Sequence, residues 1–500
     1  MSVKNCILVI DQGTTGSTAL LFNDDGEIMG RAYREIHQIY PQPGWVEQSP
    51  MELVDNSVAV LKEAIQKAGV SLKQIKGLGI TNQRETTVLW ERQTGRPVYN
   101  AIVWQCRRTA GMCEELKQKI SDDVIRGKTG LTIDAYFSAT KLRWLLDNIP
   151  DGQKRAEQGD LLFGTVDSWL VWNFTGGTLH ITDYSNASRT MLFNIHSLNW
   201  DKDLLAILNI PESVLPKVMP SSCVYAETIA GLLGEERIPI GGIAGDQQAA
   251  LFGQACYQPG MGKNTYGTGS FLLINTGDAP VISKYGLLGT VAWGLDKRVS
   301  YALEGSIFVT GAAVQWLRDG LGLIKDAAES ETLARSVKDN GGVYFVPALA
   351  GLGAPYWDMY ARGAIVGITR ATTRGHLARA TLEAIAYQTR DVVEAICADA
   401  NLKIPVLRAD GGASVNDLLM QFQADILGIP IQRTRIPDVT ALGACYLAGL
   451  AVKVWKNTDE IGKFWRSSKT YEPVMSADER EKLYADWKRA VERARAWAIE

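Results

Sequence analysis

The sequence has few histidines and no paired cysteines. Its 500 residues include four His and seven Cys, and no two of the cysteines have the Cys-x-x-Cys spacing. Scattered cysteines argue against a disulfide framework and indicate a reducing compartment. Without a His-Glu-x-x-His pair or a His–Cys grouping, a structural zinc site is not expected. We therefore expect a protein of the cytoplasm.

An excess of positive charge and a long hydrophobic run are also missing. The net charge is −3, which argues against a nucleic-acid partner because such proteins usually carry a basic stripe. The N-terminus has no secretory signal pattern. The longest apolar segment, 439–452, spans about fourteen residues and is too short to cross a bilayer, so it predicts a buried helix and no membrane partner.

The bulk composition is that of a folded, water-soluble protein. Hydrophobic residues make up 46% of the chain and charged residues 21%, which is the usual balance of globular domains. A chain of this length exceeds what one hydrophobic core normally covers, so two or more domains are expected.

The chain begins with a strand that runs into a turn rich in hydroxyl groups. Residues 6–10 are apolar, 11–18 read Asp-Gln-Gly-Thr-Thr-Gly-Ser-Thr, and 19–22 are apolar again. This pattern predicts a β-hairpin whose turn offers backbone N–H groups, hydroxyls and the carboxylate of Asp11. Such a turn can hold a phosphate and its Mg²⁺, although Gly-Thr turns also close many ordinary hairpins.

The same pattern occurs again about half a chain later. Residues 263–274 form a second strand, Gly/Thr turn and strand. Two similar hairpins predict a duplicated fold with a nucleotide held between the halves. Gly and Pro residues cluster near 252–262, which places the domain boundary there. We therefore predict one domain over 1–254, with the first phosphate hairpin, and a nucleotide-binding domain over 255–500.

Strands and helices alternate in both halves, which predicts the α/β class with sheets covered by helices. In the first half we predict strands at 77–81, 86–90, 101–104 and 238–244, with 86–90 as the neighbour of 77–81. We predict helices at 138–148 and 246–256. The segment 161–172 begins as a strand and ends as a helix. In the second half we predict strands at 343–347 and 406–410, and helices at 376–398, 416–427 and 440–452.

Polar residues at strand ends are the candidates for chemistry. Asp246 follows a strand and opens a helix, so it is either a helix N-cap or a carboxylate at the ligand-binding edge of a sheet. Arg84 and Glu85 follow another strand. They are either a solvated surface pair or the donors and acceptors that a short polyol needs.

Two further features have equally open interpretations. Trp104 and Tyr136 could flank a polyol or belong to a core. Gly411 and Gly412 follow a strand, where they could let an adenosine approach the backbone or could simply form a turn.

Several nucleotide-binding motifs are excluded. Gly127-Lys128-Thr129 resembles the end of a Walker A loop, but Asp122 stands where the first glycine is required. The chain has neither the His-Arg-Asp nor the Asp-Phe-Gly motif of protein kinases. No Gly-x-Gly-x-x-Gly follows a strand into a helix, so a dinucleotide site is not expected.

Longer stretches carry a family resemblance over essentially the whole chain. The most specific are 79–87, 99–109, 182–194 and 245–253, together with two general signatures at 136–148 and between 363 and 383. On these motifs the chain resembles the FGGY family of carbohydrate kinases, and within it the members that phosphorylate glycerol. The resemblance implies two actin/Hsp70-like (ribonuclease H-like) ATPase domains of the α/β class, with the active site in the cleft between them.

The resemblance also implies a reaction and its residues. ATP would pass its γ-phosphate to a terminal hydroxyl of glycerol, giving sn-glycerol 3-phosphate and ADP, with Mg²⁺ as the cofactor and Asp246 as the general base. The implied polyol site comprises Arg84, Glu85, Tyr136, Asp246 and Gln247 at the hydroxyls and Trp104 and Phe271 at the carbon side. The implied metal position is Asp11, and the implied nucleotide site comprises Thr14, Thr15, Gly267, Thr268, Gly311, Gln315, Gly411, Gly412 and Asn416.

The resemblance leaves some points open. The family usually has Arg or Lys at the end of the first phosphate turn, where this chain has Thr18. Other FGGY kinases act on pentuloses or longer polyols, and a non-enzymatic actin-like scaffold is a second alternative. The family commonly forms homodimers and homotetramers, so we expect a homo-oligomer.

Overall fold

The computed structural model describes residues 5–498. The strands are, in chain order, β1 (Cys6–Gln12), β2 (Gly16–Asn23), β3 (Ile28–Glu35), β4 (Glu47–Gln48), β5 (Ile75–Asn82), β6 (Val88–Glu91), β7 (Ala101–Ile102), β8 (Leu161–Gly164), β9 (Ile181–Asp183), β10 (Phe193–Asn194), β11 (Asn199–Trp200), β12 (Lys217–Met219), β13 (Ser222–Glu227), β14 (Pro239–Gly245), β15 (Gly262–Tyr266), β16 (Ser270–Gly277), β17 (Leu288–Leu295), β18 (Arg298–Ile307), β19 (Tyr344–Val346), β20 (Ala364–Val366), β21 (Leu407–Asp410), β22 (Ile431–Thr434) and β23 (Ser467–Tyr471).

The α-helices are α1 (Pro50–Ala68), α2 (Ala110–Lys119), α3 (Asp122–Thr129), α4 (Ser138–Asn148), α5 (Gly152–Glu157), α6 (Val166–Phe174), α7 (Tyr184–Ala187), α8 (Lys202–Ile207), α9 (Asp246–Gly253), α10 (Gly311–Gln315), α11 (Glu329–Arg335), α12 (Arg374–Ala400), α13 (Asp417–Leu427), α14 (Val439–Ala451), α15 (Thr458–Gly462) and α16 (Ala477–Ala494).

One large sheet runs through both halves of the chain, in the order β23-β22-β21-β15-β16-β18-β17-β13-β14-β5-β1-β2-β3. In the first half, β14, β5 and β1 are adjacent and parallel, and their last residues pair as Gly245, Asn82 and Gln12. In the second half, β15 and β21 are parallel, with Thr265 beside Asp410. Loops after parallel strands gather at one edge, and that is where α/β sheets bind ligands.

Both predicted hairpins are present. β1 pairs with β2 in antiparallel register, and β15 pairs with β16 in the same way. A backbone hydrogen bond of 3.0 Å from Gly13 to Gly16 closes the first turn, and one of 2.8 Å from Gly267 to Gly269 closes the second. At Gly16 a side chain would collide with the Tyr33 ring, 2.3 Å from the position of a Cβ. This close packing accounts for a glycine where β2 begins.

The helices have nearly the predicted bounds, whereas some strands pair with a different partner from the one predicted. α4 has the predicted bounds, and the predicted helices at 376–398, 416–427 and 440–452 correspond to α12, α13 and α14. The strand predicted at 86–90 starts later, as β6, and pairs with β8 rather than with β5. The predicted pairing is wrong because the chain leaves the sheet after Asn82 and turns at Glu85, whose φ is +59°.

One other strand prediction needs correction. The strand expected at 101–104 is reduced to β7, which pairs with the two residues of β4 and makes an isolated bridge from Ile102 to Thr87. The strand expected at 343–347 is present as β19, which forms a separate two-stranded sheet with β20. A local apolar run does not determine how long a strand is or which partner strand it finds.

The apolar segment near the C-terminal end is the buried helix α14. It packs against β1, β5, β14 and α9. The helix can lie this close because Gly79 has no side chain: a Cβ there would be 2.5 Å from the carbonyl oxygen of Ala444. Within residues 5–498, no helix is long and apolar enough to cross a membrane.

Candidate active site

Three adjacent parallel strands bring three candidate residues to one edge of the sheet. Asp11 lies near the end of β1, Arg84 follows β5 by two residues, and Asp246 follows β14 directly. Because the last residues of these strands are in register, residues that are distant in sequence meet here. The Arg84 Nε atom is 3.4 Å from the Asp246 carboxylate and 3.8 Å from that of Glu85.

Arg84 is held from several directions. Its guanidinium donates to both carboxylate oxygens of Glu304, at 2.5 and 3.1 Å, and to Gln248 Oε1 at 3.1 Å. A longer hydrogen bond of 3.4 Å reaches the Tyr136 hydroxyl. The Arg84 side chain is 2% exposed and that of Glu304 is fully buried. Arg84 is therefore not part of a solvated surface pair.

A second buried arginine shares the carboxylates around Arg84. Arg189, itself fully buried, donates to Glu85 at 2.6 Å and to Glu304 at 3.0 Å. Two guanidinium groups thus face two carboxylates. Burial alone would raise the pKa of Glu304, but Arg189 and Arg84 outweigh it and hold the pKa at about 2. Glu304 is ionised at neutral pH, as a bidentate partner of Arg84 requires.

The aromatic candidates stand beside this cluster. The rings of Trp104 and Tyr136 meet edge to face, with centroids 5.5 Å apart. The backbone carbonyl of Glu85 accepts a hydrogen bond from Ser138 at the start of α4, 3.0 Å away. The same segment therefore orients both Glu85 and Tyr136. Both aromatic rings are partly exposed rather than buried in a core.

Asp246 is the first residue of α9, and the N-cap position is Gly245, which has no side chain to cap the helix. Asp246 Oδ1 nevertheless accepts from the Gln247 N–H in the first turn, at 2.7 Å. The Asp246 side chain remains 30% exposed. Burial raises the pKa of the Asp246 carboxyl, while Arg84 and Lys263 oppose that increase. The carboxylate thus satisfies one N–H at the start of α9 and is still partly exposed at the sheet edge.

Gln247 and Phe271 are connected through a buried lysine. Lys263 Nζ donates to Gln247 Oε1 at 2.5 Å and to the Phe271 carbonyl at 3.1 Å. Lys263 lies on β15 and Phe271 on β16. A residue that opens α9 is in this way tied to both strands of the second hairpin.

The first hairpin adjoins the aromatic side of the cluster. Trp104 Nε1 donates to Thr14 Oγ1 at 2.9 Å. The Thr14 carbonyl accepts from the side-chain amides of Gln38 and Gln48, at 2.8 and 2.6 Å. Thr15 next to it is exposed. The turn is therefore fixed through Thr14, while Thr15 points to solvent.

Asp11 is an acidic side chain close to other acids. Burial, and after it the carboxylates of Asp246 and Asp438, raise the pKa of Asp11 to about 7. A cation close to Asp11 would favour its charged form. Within residues 5–498, no group of three potential metal ligands gathers at one point, so a metal beside Asp11 would rely largely on water or substrate oxygens.

The second hairpin presents exposed backbone. Gly267 and Thr268 are exposed at its turn. The Gly311 N–H donates to the Gly267 carbonyl at 3.0 Å, and the Ala312 N–H donates to the Thr268 carbonyl at 3.0 Å. These bonds bring the start of α10 against the turn. Gln315, the last residue of α10, has an exposed side chain.

The strand next to the second hairpin carries the last group of candidates. Gly411 has φ +88°, and a Cβ there would be 2.5 Å from the Tyr266 carbonyl, so only glycine fits. Gly412 is open to solvent, and nothing within 4 Å would obstruct a Cβ. Asn416 Oδ1 accepts from the Leu419 N–H at 2.9 Å and caps α13.

The predicted residues thus form two groups. Contacts connect the polyol residues with one another and with Thr14, whereas Gly267, Thr268, Gly311, Gln315, Gly411, Gly412 and Asn416 lie around the second hairpin and β21. Within residues 5–498, neither the Gln315 nor the Asn416 side chain is hydrogen-bonded to a residue of the predicted polyol group.

Sequence reasoning missed three charged residues at this site. They are Arg189, Lys263 and Glu304, and each is buried within hydrogen-bond distance of a predicted residue. The available signal was weak: Glu304 is a charge inside the apolar strand β18, and Lys263 begins the second hairpin. A charge at a buried strand position requires a partner, but the sequence does not say which.

Comparisons with known proteins agree with this geometry. Residues 6–253 match the N-terminal domain of the FGGY family of carbohydrate kinases, and residues 262–452 match its C-terminal domain. The chain is 61% identical to glycerol kinase 2 of Thermotoga maritima over 98% of this chain and 99% of that protein. It is 59% identical to glycerol kinase of Caldanaerobacter subterraneus subsp. tengcongensis over 99% of both.

Solved structures give the same fold. Glycerol kinase of Plasmodium falciparum with ADP superimposes with a TM-score of 0.94 and 38% identity over 99% of both chains. Gluconate kinase of Lactobacillus acidophilus, 23% identical over 98% of this chain and 97% of that one, has a TM-score of 0.86 and supports the fold alone. The predicted fold class, two ribonuclease H-like (actin-like) ATPase domains, is confirmed. The chain belongs to the FGGY family of carbohydrate kinases.

Proposed function

We propose that this protein transfers the γ-phosphate of ATP to a terminal hydroxyl of glycerol, giving sn-glycerol 3-phosphate and ADP. The observation that carries the proposal is the contact between a polyol pocket and a phosphate turn. Asp246 and Arg84 lie 3.4 Å apart, and Trp104 from the same pocket donates to Thr14. The near-full-length identity with proteins named glycerol kinase supports the choice of glycerol.

In this proposal the pocket supplies both hydrogen-bond donors and hydrogen-bond acceptors. Arg84 and Gln247 donate to substrate oxygens, Glu85 and Asp246 accept from hydroxyls, and Tyr136 can do either. Trp104 and Phe271 cover the carbon side. A site built around fixed polar groups rejects analogues that lack a matching hydroxyl, because its buried groups would then be unpaired.

Asp246 is the proposed general base. A raised carboxylate pKa brings the base closer to neutral pH, where it accepts a proton more readily. Burial provides that increase, and Arg84 and Lys263 keep enough positive charge nearby to favour the ionised form. Asp246 would take the proton of the attacking glycerol hydroxyl. The hydroxyl oxygen would bond to the γ-phosphorus as the bond between that phosphorus and ADP breaks. Since phosphoryl transfer has a loose transition state, positioning by the surrounding residues contributes at least as much.

Asp11 is the proposed partner of Mg²⁺. A carboxylate near the end of β1, outside any group of three metal ligands within residues 5–498, suits an ion that keeps most of its waters. When bound, Mg²⁺ would neutralise charge on the phosphates. Asp11 would hold the ion through water, and Thr14, Thr15, Thr268, Gly267 and Gly311 would offer hydroxyl and N–H groups to the phosphates. Gly411, Gly412, Gln315 and Asn416 would surround the nucleoside.

A coupled ADP-release assay tests the proposal. Glycerol, dihydroxyacetone, erythritol, xylulose and gluconate are compared at equal concentrations with MgATP. We expect the highest kcat/KM with glycerol. A preference for xylulose or gluconate would instead support a kinase of pentuloses or longer polyols. ADP release without any polyol, together with nucleotide-driven sedimentation, would support an actin-like scaffold.

Three further properties belong to the same proposal. We place the domain boundary between residues 254 and 255, and the two matched family segments, 6–253 and 262–452, support it. We also propose a homodimer or homotetramer; the exposed Trp357 and Met359, at 46% and 72%, support self-association. Sedimentation equilibrium measures the assembly. The proposed location is the cytoplasm, which cell fractionation tests.

A further inference from the structure

Lys263 is a buried charge for which the proposed reaction has no role. Its side chain is fully buried at the start of the second hairpin. Its ammonium group donates to Gln247 Oε1 at 2.5 Å, to Thr265 Oγ1 at 2.9 Å and to the Phe271 carbonyl at 3.1 Å. These acceptors use all three N–H bonds of the group.

The contact with Gln247 determines which way that amide faces. A lysine ammonium can only donate, so the carbonyl end of the amide must point at it. The NH₂ end then points the other way. Gln247 is partly exposed at the sheet edge beside Asp246. Within residues 5–498, its Nε2 atom donates no hydrogen bond. A donor is thus left available on the side away from Lys263.

We propose that Lys263 is a positioning residue that holds Gln247 as a hydrogen-bond donor to a substrate hydroxyl oxygen. This inference rests on the proposed function. The neighbouring groups fit the role, since Asp246 and Glu85 can only accept when ionised, and a polyol oxygen needs donors as well. Without Lys263, the Gln247 amide can rotate and present either end.

The charge of Lys263 contributes to the same arrangement. Burial lowers its pKa to about 8, while Asp410, Asp246 and Glu304 oppose that decrease. The ammonium therefore remains mostly protonated at pH 7. Because Lys263 lies on β15 and Gln247 on α9, the contact also fixes a polyol residue relative to the hairpin that carries Gly267 and Thr268.

A double-mutant cycle on the full-length protein tests the inference. The variants are Lys263→Met, Gln247→Leu and the double substitution, with kcat and KM for glycerol as the readout. If Lys263 acts through Gln247, each single variant loses roughly 10- to 100-fold in kcat/KM, within the range for leaving a buried substrate oxygen without its donor. The double variant then falls no more than about twofold below Gln247→Leu, because the two residues act as one unit.

Thr265→Val is the matched control. It removes another acceptor of Lys263 but leaves the Gln247 contact in place, so kcat/KM should stay within about threefold of the wild type, because the ammonium still holds the Gln247 carbonyl. The Kd for ADP and the melting temperature are measured for every variant. Losses that multiply in the double variant, or a Lys263→Met enzyme with unchanged kinetics, would overturn the inference.

A second variant covers the case in which Lys263→Met does not fold. Gln247→Glu keeps an oxygen for Lys263 but cannot donate to the substrate. The KM for glycerol should rise at least tenfold, by the same hydrogen-bond argument, while the melting temperature does not fall. An unchanged KM would refute the assigned orientation. A wild type that releases no ADP with glycerol refutes the proposed function and this inference with it, whereas an active wild type with independent losses refutes the inference alone.

Discussion

Replacing Glu304 by Gln should damage both the stability of the protein and the polyol pocket. Glu304 accepts three hydrogen bonds, two from Arg84 and one from Arg189. The side chains of all three residues are 0–2% exposed. Glutamine has nearly the same shape, so the substitution leaves no cavity. It removes one negative charge and replaces an acceptor oxygen with an NH₂ group that faces guanidinium donors.

The magnitude follows from the charge balance of the cluster. In the wild type, Arg84 and Arg189 face the fully buried Glu85 and Glu304, and the partly exposed Asp246 carboxylate lies 3.4 Å from Arg84 Nε. In the variant the two buried guanidinium groups share one fully buried carboxylate, that of Glu85, and Arg84 keeps only the partly exposed Asp246 besides. Removing one partner of a buried ion pair costs about 3–5 kcal/mol. An exposed ion pair is worth about 0–1 kcal/mol, so the burial of Glu304 decides the size of the effect.

The control is Glu394→Gln on α12. Glu394 pairs with Arg390 at 2.8 Å but is 47% exposed, so its loss should cost less than about 1 kcal/mol. Urea unfolding gives the free energies, and the coupled assay gives KM for glycerol. We expect Glu304→Gln to lose several kcal/mol and to raise KM for glycerol at least tenfold, because Arg84 loses its bidentate support. If the two variants behaved alike in both measurements, the reasoning about the cluster would be refuted.

Three other substitutions give separate tests. Asp246→Asn should lower kcat by roughly 10²- to 10⁴-fold with glycerol binding mostly kept, the usual contribution of a general base; near-normal turnover in the coupled assay would remove Asp246 from that role. Thr18→Arg should tighten nucleotide binding because it restores a cation beside the first phosphate turn, and titration with ADP that gave an unchanged Kd would contradict this. Burial lowers the pKa of His180 to about 4, so the unfolded chain binds the proton first and stability falls as the pH drops from 7 towards 4. Over that interval the wild type should lose roughly 3 kcal/mol more than His180→Gln, at 1.36 kcal/mol per unit of pKa shift; parallel curves from denaturant unfolding would exclude His180 as the cause.

Local sequence chemistry was enough to predict the two hairpins. A Gly/Thr turn between apolar strands specifies its own closure, and both turns close by one short-range backbone bond. The helix at 138–148 was also predictable from its local sequence alone. The strand predicted at 86–90 is present as β6, but its predicted partner was wrong because pairing depends on a segment more than 70 residues away, at Leu161–Gly164. A positive φ at Glu85, which redirects the chain, is not a preference that glutamate shows by itself.

Some residues of the candidate site were likewise predictable from the local sequence, and others were not. Residues such as Arg84 and Asp246 were visible because they follow strands, where α/β folds bind ligands. Glu304 and Arg189 were not, because they act only through Arg84 and Glu85 and lie 220 and 104 positions away from those partners. A charge in an apolar strand signals that some partner exists. Only the folded chain shows that this partner is a candidate substrate-binding residue.

These buried partners explain how a small triol could be recognised by charged groups. An isolated arginine in solvent would lose much of its interaction strength to water and to side-chain motion. Here Glu304 and Arg189 fix both Arg84 and Glu85 before any ligand arrives, and Lys263 fixes Gln247. The side-chain entropy is lost during folding rather than during binding, so each hydrogen bond to the substrate contributes more of its free energy to affinity. The cluster is therefore formed in advance at the sheet edge, and in the proposed function selectivity for a polyol would follow from the fixed direction of its donors and acceptors.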